Sequence, residues 1–186
     1  RDSNNWTAFE ERTGKERSGE ACDHWNLWRD DFKLLSDIGV NSYRFSIEWS
    51  RLEPSPGEWN EEAMNTYSDM VDDLLERGIR PMPTLHHFSH PSWWEEKGGF
   101  TDEENLVDFL SYSERVFDAL SDRVEVWCTI NEPTVFSAMG YTLGQFPPGR
   151  RSIFLTLRVM KNMMRAHSMV YKRLKERAPE CKLGIA

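Results

Sequence analysis

Trp127-Cys128-Thr129-Ile130-Asn131-Glu132-Pro133 is the most informative stretch of this sequence. Its apolar, β-branched first half predicts a buried strand, and that strand ends on an amide beside a carboxylic acid. Pro133 lacks an N–H group and cannot continue a ladder, and it favours an extended conformation at the preceding residue. We therefore expect Glu132 to lie at the C-terminal rim of a sheet, where parallel barrels carry their chemistry.

The composition is typical of an ordinary globular domain with a substantial core. The chain has 186 residues, of which 39% are apolar and 29% charged. No stretch approaches the roughly 20 consecutive apolar residues of a membrane-spanning helix, so no membrane partner is expected. The net charge of −8 argues against nucleic acid as a partner, because phosphate binding relies on a dominant basic surface.

Residues 150–177 have the opposite charge, with nine basic side chains and one acid, Glu176. Such a segment could be a membrane-surface or calmodulin-target helix. Apolar side chains and one histidine also recur at steps of three and four, at Ile153, Leu157, Met160, Met164, His167, Tyr171 and Leu174. We favour a helix that buries this stripe against its own domain.

The three cysteines, Cys22, Cys128 and Cys181, are far apart and form no C-x-x-C pair. They indicate neither a disulfide framework nor a zinc site. We expect buried free thiols in a reducing compartment, which favours a cytoplasmic location.

Hydrophobic periodicity predicts a repeated helix–strand unit. Strands are expected at residues 41–49, 81–88 and 124–130, with the start of a fourth at 182–186. A helix is expected before each: over 23–37 with Gly39 as its stop, from an Asn60 cap to Gly78, from a capping box at Thr101-Asp102-Glu103-Glu104, and over the basic segment to just before Pro179.

Alternating helices and strands imply parallel units with right-handed crossovers, in which Ser46, Thr84 and Cys128 occupy equivalent positions. A doubly wound sheet and a (β/α)8 barrel both fit this pattern. No glycine-rich phosphate loop follows the first strand, and each strand instead ends on polar or aromatic residues. This favours a partial TIM barrel of roughly strands 2 to 5, because a complete one takes about 250 residues. We expect residues 1–186 to be one incomplete barrel domain at the front of a larger enzyme.

The residues at the predicted strand ends suit carbohydrate chemistry. Sugars offer apolar faces to aromatic rings and hydroxyl groups to amide, imidazole and carboxyl partners. The chain contains eight tryptophans, and Trp93-Trp94 directly follows a histidine-rich strand end, where it could supply a stacking surface. Most of the tryptophans should nevertheless belong to the core.

A series of motifs along nearly the whole chain resembles glycoside hydrolase family 1, the β-glucosidase family, in the family's order. The motifs are Ala21-Cys22-Asp23-His24, Tyr43-Arg44-Phe45-Ser46-Ile47-Glu48-Trp49-Ser50-Arg51, Thr84-Leu85-His86-His87-Phe88, Gly98-Gly99-Phe100, Thr129-Ile130-Asn131-Glu132-Pro133, and Gly140-Tyr141 through Pro147-Pro148-Gly149. The resemblance implies a retaining β-glycosidase that needs no cofactor or metal and acts on a small-molecule or oligosaccharide β-glucoside or β-galactoside.

The same resemblance implies a role for each matching residue. Glu132 would be the general acid/base and Asn131 the partner of the sugar 2-hydroxyl. His87 would hydrogen-bond the sugar, and Phe88 stands beside it where the family commonly has tryptophan. Arg44 would lie near the nucleophilic carboxylate and keep it ionised. The family's nucleophile lies in a Glu-Asn-Gly setting, which these 186 residues do not contain.

Two other groups have competing interpretations. Glu48 could be taken for the second carboxylate, but an ion pair with Arg44 inside the barrel is the favoured interpretation. His86, His87 and His90 have a spacing that could hold a metal, yet no cysteine or H-E-x-x-H motif completes such a site.

The functional alternatives are a catalytically inert, glycan-binding relative of the same fold and a retaining glycosidase of another barrel family. The oligomeric state stays open.

His24 and His167 are expected to make structural hydrogen bonds.

Overall fold

The computed structural model describes residues 3–186, and a four-stranded parallel sheet organises this part of the chain. Its strands are β1 (Ser42–Ser46), β2 (Arg80–His86), β3 (Val126–Ile130) and β4 (Lys182–Gly184). Their order in the sheet is β1-β2-β3-β4, so each strand pairs with the strand that precedes it in the chain.

Helices connect the strands. Within the described residues the α-helices are α1 (Asn5–Thr13), α2 (His24–Ile38), α3 (Trp49–Leu52), α4 (Glu61–Glu76), α5 (Ser92–Glu96), α6 (Leu106–Leu120), α7 (Pro133–Ser137) and α8 (Ile153–Arg177). Two 3-10 turns, Gly99–Thr101 and Glu103–Asn105, precede α6, and a short π-helix, Ala138–Thr142, follows α7. Across residues 3–186, no helix combines the length and apolar character needed to cross a membrane.

The strand register agrees with the prediction. Ser46 pairs with Thr84, and Thr84 pairs with Cys128, which are the three positions expected to be equivalent. The first strand is shorter than predicted, because the Glu48 carboxylate accepts a hydrogen bond from the Ser50 N–H group and caps α3. Trp49 is therefore helical, and β1 ends at Ser46.

The helix ends agree in part with the predicted signals. Asn60 caps α4 by accepting from the Ala63 N–H group, and Gly39 ends α2 at φ 82°. The predicted capping box at Thr101 is wrong. The Thr101 hydroxyl donates to the Gly98 carbonyl, and Asp102 caps the following 3-10 turn, so that α6 begins later, at Leu106.

Helix α6 joins the sheet to the core. Its buried Tyr112 hydroxyl contacts the carbonyls of Ile47 at 3.2 Å and Leu85 at 3.0 Å, which links the ends of β1 and β2. The Tyr112 ring stacks on Trp49 at 4.7 Å, and Trp49 packs on Trp94. Trp94 is fully buried, so it cannot supply the sugar-stacking surface considered from the sequence.

Helix α8 packs against its own domain, as predicted, but with a different face. Asn162 in its buried face donates to the Phe100 carbonyl at 2.9 Å. The buried residues are Thr156, Val159, Asn162, Met163, Ala166, Val170 and Leu174. Of the predicted stripe only Leu174 is buried, whereas Ile153 and Leu157 are 56% and 60% exposed. The helix carries two adjacent apolar stripes, and periodicity does not distinguish which one meets the core.

The cysteine prediction holds for two of the three thiols. Cys128 and Cys181 are buried and free, whereas Cys22 is free and exposed. Cys22 lies in the turn before α2, outside the packed layers.

Candidate active site

The ends of neighbouring strands are tied together by backbone hydrogen bonds. The Asn131 N–H group donates to the His86 carbonyl at 2.9 Å, and the Glu132 N–H group donates to the Ala186 carbonyl at 2.8 Å. The Ile47 N–H group donates to the Thr84 carbonyl at 3.0 Å. Side chains that follow these strands are therefore gathered at one edge of the sheet, as expected for parallel strands.

Arg44 and Asn131 form a polar contact across this edge. Arg44, on β1, donates from Nη1 to Asn131 Oδ1 at 2.7 Å. Asn131 is only 2% exposed. The contact engages the amide oxygen, so the NH2 group is presented as a donor.

His87 follows β2 and contacts the end of β1. Its Nδ1 is 3.2 Å from the Ser46 hydroxyl oxygen. Burial lowers the pKa of His87, the nearby Arg44 guanidinium lowers it further, and Glu132 opposes the shift. The imidazole is therefore neutral near pH 7, and Arg44 and Glu132 are both close enough to act on it.

Glu132 has a left-handed backbone conformation, with φ 42° and ψ 63°. The extended conformation predicted from Pro133 is therefore wrong. The positive φ turns the chain from strand to helix, since the Glu132 carbonyl accepts from the Phe136 N–H group at 3.0 Å at the start of α7. In this part of the structure the Glu132 side chain makes no capping hydrogen bond, and it is exposed.

Phe88 also has a left-handed backbone conformation, with φ 70°. Its ring is nearly parallel to Phe136 at 6.1 Å and packs on Phe146 at 5.6 Å. The ring of His87 meets it edge-on at 5.1 Å. His87 and Phe88 thus form a wall with one polar and one apolar member.

Glu48 does not pair with Arg44, so the predicted ion pair is wrong. The Glu48 carboxylate accepts from the Ser50 hydroxyl at 2.6 Å and from the Ser89 hydroxyl at 2.8 Å. Because the chain leaves the sheet after Ser46, Glu48 turns towards the start of α3, and Arg44 meets Asn131 instead.

Two fully buried histidines, His86 at the end of β2 and His90 after it, pair with one another. His86 Nε2 is 3.2 Å from His90 Nδ1, and His90 Nε2 is 2.7 Å from Glu95 Oε2. Burial holds the pKa of His86 well below its ordinary value, and the neighbouring His90 and His87 add to the shift. Within residues 3–186 there is no group of three His, Cys, Asp or Glu side chains arranged to hold a metal ion.

The remaining histidines make the structural contacts expected of them. His24 Nδ1 is 2.5 Å from an Asp31 carboxylate oxygen, and His167 Nδ1 is 2.8 Å from the Thr129 hydroxyl oxygen.

Sequence reasoning missed the residues that hold the strand ends in place. Ser46 contacts His87, and Asn5 and Trp6 donate to the Phe88 carbonyl from 83 and 82 residues away. No local pattern signals such distant partners. An open cleft of about 910 Å³ extends from Arg44 and His87 along β1.

Comparison with known proteins gives a consistent result. A family model described as glycosyl hydrolase family 1 matches residues 1–186. β-Glucosidase A of Thermotoga maritima is 36% identical over 185 residues, covering 97% of this chain and 42% of that protein. The human cytosolic β-glucosidase is 42% identical over 142 residues, covering 75% of this chain and 30% of that protein.

A solved structure of a β-glycosidase from Pyrococcus horikoshii superposes with a TM-score of 0.92 at 45% identity. The match covers 98% of this chain and 43% of that one, so this chain spans less than half the length of its relatives. The superposition confirms that the four parallel strands and their helices form part of a TIM barrel.

Proposed function

The chain belongs to glycosyl hydrolase family 1, and from that premise we propose that the full-length protein is a retaining β-glycosidase of β-glucosides or β-galactosides. Here "full-length protein" means the longer chain of which we take residues 1–186 to be a part. The observation that carries the proposal is the meeting of Arg44 on β1 with His87, Asn131 and Glu132, which follow the ends of β2 and β3. The relatives compared above are β-glucosidases or β-glycosidases.

Glu132 is the proposed general acid and base. In the first step a second carboxylate attacks the anomeric carbon, and the Glu132 carboxylic acid gives its proton to the leaving glycosidic oxygen. In the second step the Glu132 carboxylate takes a proton from a water molecule that attacks the same carbon and releases the second carboxylate. A side chain that is exposed and makes no capping bond suits both transfers.

Asn131 and Arg44 are proposed to act as a pair. Because Arg44 engages the amide oxygen at 2.7 Å, the Asn131 NH2 group can donate to the sugar 2-hydroxyl. The Arg44 guanidinium remains a fixed positive charge that favours the ionised form of a neighbouring nucleophilic carboxylate.

His87 and Phe88 are proposed to form the wall against which the sugar binds. A neutral imidazole can donate to or accept from a hydroxyl group, and the lowered pKa of His87 favours that form near neutral pH. Phe88 offers an apolar ring without the N–H group of the tryptophan that is common at this position.

We also propose that residues 1–186 are one part of a single barrel domain and that the nucleophile lies outside them. β1 and β4 are the outer strands of the described sheet, and relatives more than twice as long fit this view. Residues 1–186 alone should therefore not hydrolyse an aryl β-glucoside. Turnover by this piece that is lost on Glu132→Gln would contradict the proposal and make Glu48 the first candidate nucleophile.

Retention of configuration provides the main test. An NMR time course of aryl β-glucoside hydrolysis by the full-length protein should show the β-anomer as first product, because two displacements each invert the anomeric carbon. The α-anomer as first product would rule out this mechanism. Glycoside binding without turnover would favour the inert relative instead.

We also propose a cytoplasmic location. The human relative is named as a cytosolic β-glucosidase, which supports this proposal.

A further inference from the structure

We propose that Asn5 is a positioning residue for the loop at residues 87–90, which carries His87 and Phe88. The inference rests on the proposed function, because it concerns how the sugar-binding wall is held. Asn5 contacts the backbone of this loop rather than its side chains. It therefore acts through His87 and Phe88 and does not itself touch the substrate.

Asn5 contacts the loop with both its backbone and its side chain. Its backbone N–H group donates to the His90 carbonyl at 3.0 Å. Its side-chain oxygen accepts from the His90 N–H group at 3.1 Å, and its side-chain NH2 group donates to the Phe88 carbonyl at 3.1 Å. The amide side chain thus pairs with two backbone groups as a strand neighbour would, and it is 1% exposed.

Trp6 strengthens the same attachment. Its Nε1–H group donates to the Phe88 carbonyl at 2.9 Å, so that this oxygen accepts from two side chains. The Trp6 ring also packs on Phe146 at 4.9 Å, and Phe146 packs on Phe88 at 5.6 Å. The start of α1 therefore holds both the carbonyl and one neighbour of the Phe88 ring.

The loop needs this support because Phe88 has φ 70°, a conformation unfavourable for an aromatic residue. Such conformations persist when surrounding contacts over-determine them, and they are concentrated at functional sites. Without Asn5 the Phe88 carbonyl would lose one of its two side-chain donors, and the His90 N–H group would lose its acceptor. His87, directly before Phe88, would then lose its fixed position beside Ser46.

Asn4 provides a matched control for Asn5. It is the neighbouring residue of the same type, but its side-chain oxygen accepts from the Thr7 N–H group at 2.9 Å and caps α1. Asn4→Ala therefore removes a side-chain amide from the same helix start and spares the side-chain bonds to residues 88 and 90.

The test compares Asn5→Ala with Asn4→Ala in the full-length protein. We expect Asn5→Ala to lower kcat/KM for an aryl β-glucoside on the order of tenfold to a hundredfold, the effect of a small misplacement in an active site. Asn4→Ala should change it by less than about threefold, since it removes the α1 cap and leaves the side-chain bonds of Asn5 to residues 88 and 90 in place. Hydrogen exchange of the His90 amide should become at least about tenfold faster in Asn5→Ala alone, because that amide loses its acceptor.

Equal kcat/KM and equal His90 exchange in the two variants would overturn the proposal. If Asn5→Ala does not fold, Trp6→Phe removes one donor and keeps an aromatic ring at this position. It should raise KM more than it lowers kcat, and wild-type kinetics there would also count against the attachment. Failure of the proposed function can be told apart from failure of this inference. If the wild-type protein has no glycosidase activity, His90 amide exchange can still be compared between Asn5→Ala and Asn4→Ala.

Discussion

The residues that follow β2 and β3 share an unfavourable backbone conformation but are held by different contacts. Each strand is followed by a non-glycine residue at positive φ, 70° for Phe88 and 42° for Glu132. After β2, the Phe88 carbonyl is held by two distant side chains and its ring packs between other rings. After β3, only the backbone of Glu132 is held, by Ala186 and Phe136, and its carboxylate is exposed.

This difference agrees with the roles proposed for the two strand ends, sugar binding after β2 and proton transfer after β3. A wall that binds sugar benefits from fixed side chains, because ordering them on binding would weaken affinity. A group that transfers a proton twice must reach both the leaving oxygen and a water molecule. Within residues 3–186 both backbones are held, but the side chain is restrained only after β2.

The largest expected effect is at the free carboxylate after β3. Glu132→Gln in the full-length protein should lower kcat for a β-glycoside with a poor leaving group by roughly 10²- to 10⁴-fold, because that leaving group needs a proton. An activated aryl substrate should lose much less. Steady-state kinetics with both substrates check this, with Glu125→Gln just before β3 as a control. An equal decrease in kcat for both substrates would contradict the role of Glu132 as general acid.

The next effect concerns the buried amide beside that carboxylate. Asn131→Ala should lower kcat and kcat/KM together by about 10- to 100-fold, the value of one hydrogen bond that involves developing charge. It also removes the acceptor of Arg44. The measurement is kcat and KM for an aryl β-glucoside. A rise in KM with unchanged kcat would mean that Asn131 binds substrate and transition state equally.

Glycine substitutions at Glu132 and Phe88 should change the free energy of unfolding in opposite directions. Glycine adopts positive φ readily, so Glu132→Gly should raise the free energy of unfolding by up to about 1 kcal/mol while it abolishes acid catalysis. Phe88→Gly should lower that free energy by roughly 2 kcal/mol, since the lost ring packing outweighs the relief of strain. Urea unfolding of the full-length variants measures both. Shifts of the same sign would show that the two ends are held alike.

The last expected effect is a pH dependence that arises mainly from His86 at the end of β2. The unfolded His86 imidazole takes up a proton near its ordinary pKa of 6.5, whereas burial lowers its pKa in the folded chain. Stability should therefore fall as the pH drops below that value, by at most about 1.4 kcal/mol per pH unit for this group, and stay level above it.

The urea midpoint of the full-length protein between pH 5 and 8 measures this dependence. His86→Gln should reduce the slope, and His87 and His167, whose pKa values are also lowered, should leave a residual one. A slope identical to that of the wild type would contradict the assignment of this pH dependence to His86.

The sequence was sufficient to predict features that depend on repetition or on local chemistry. The equivalence of Ser46, Thr84 and Cys128 is confirmed by the register, because parallel units repeat the same strand and helix pattern. Asn60 was identified as a cap because its partner, Ala63, is three residues away. The catalytic role of Glu132 stays a prediction, although its position at a strand end was read from its neighbours.

Features that depend on distant partners were not predictable in the same way. Pro133 favours an extended Glu132, but bonds to Ala186 and Phe136 impose a positive φ instead. On α8 two apolar stripes compete, and only the packed structure selects the one that contains Val159. The attachment of Asn5 spans more than 80 residues, and no local pattern marks it.

The strict order β1-β2-β3-β4 also has a consequence for synthesis on the ribosome. Within the described sheet, a chain that emerges N-terminus first presents the edge of the preceding strand to each strand that follows it. Asn5 can engage Phe88 and His90 as soon as the segment after β2 is outside the exit tunnel. The backbone of the binding wall can thus be held during elongation, before Glu132 has been made, whereas the Phe88 ring gains its neighbours Phe136 and Phe146 only later.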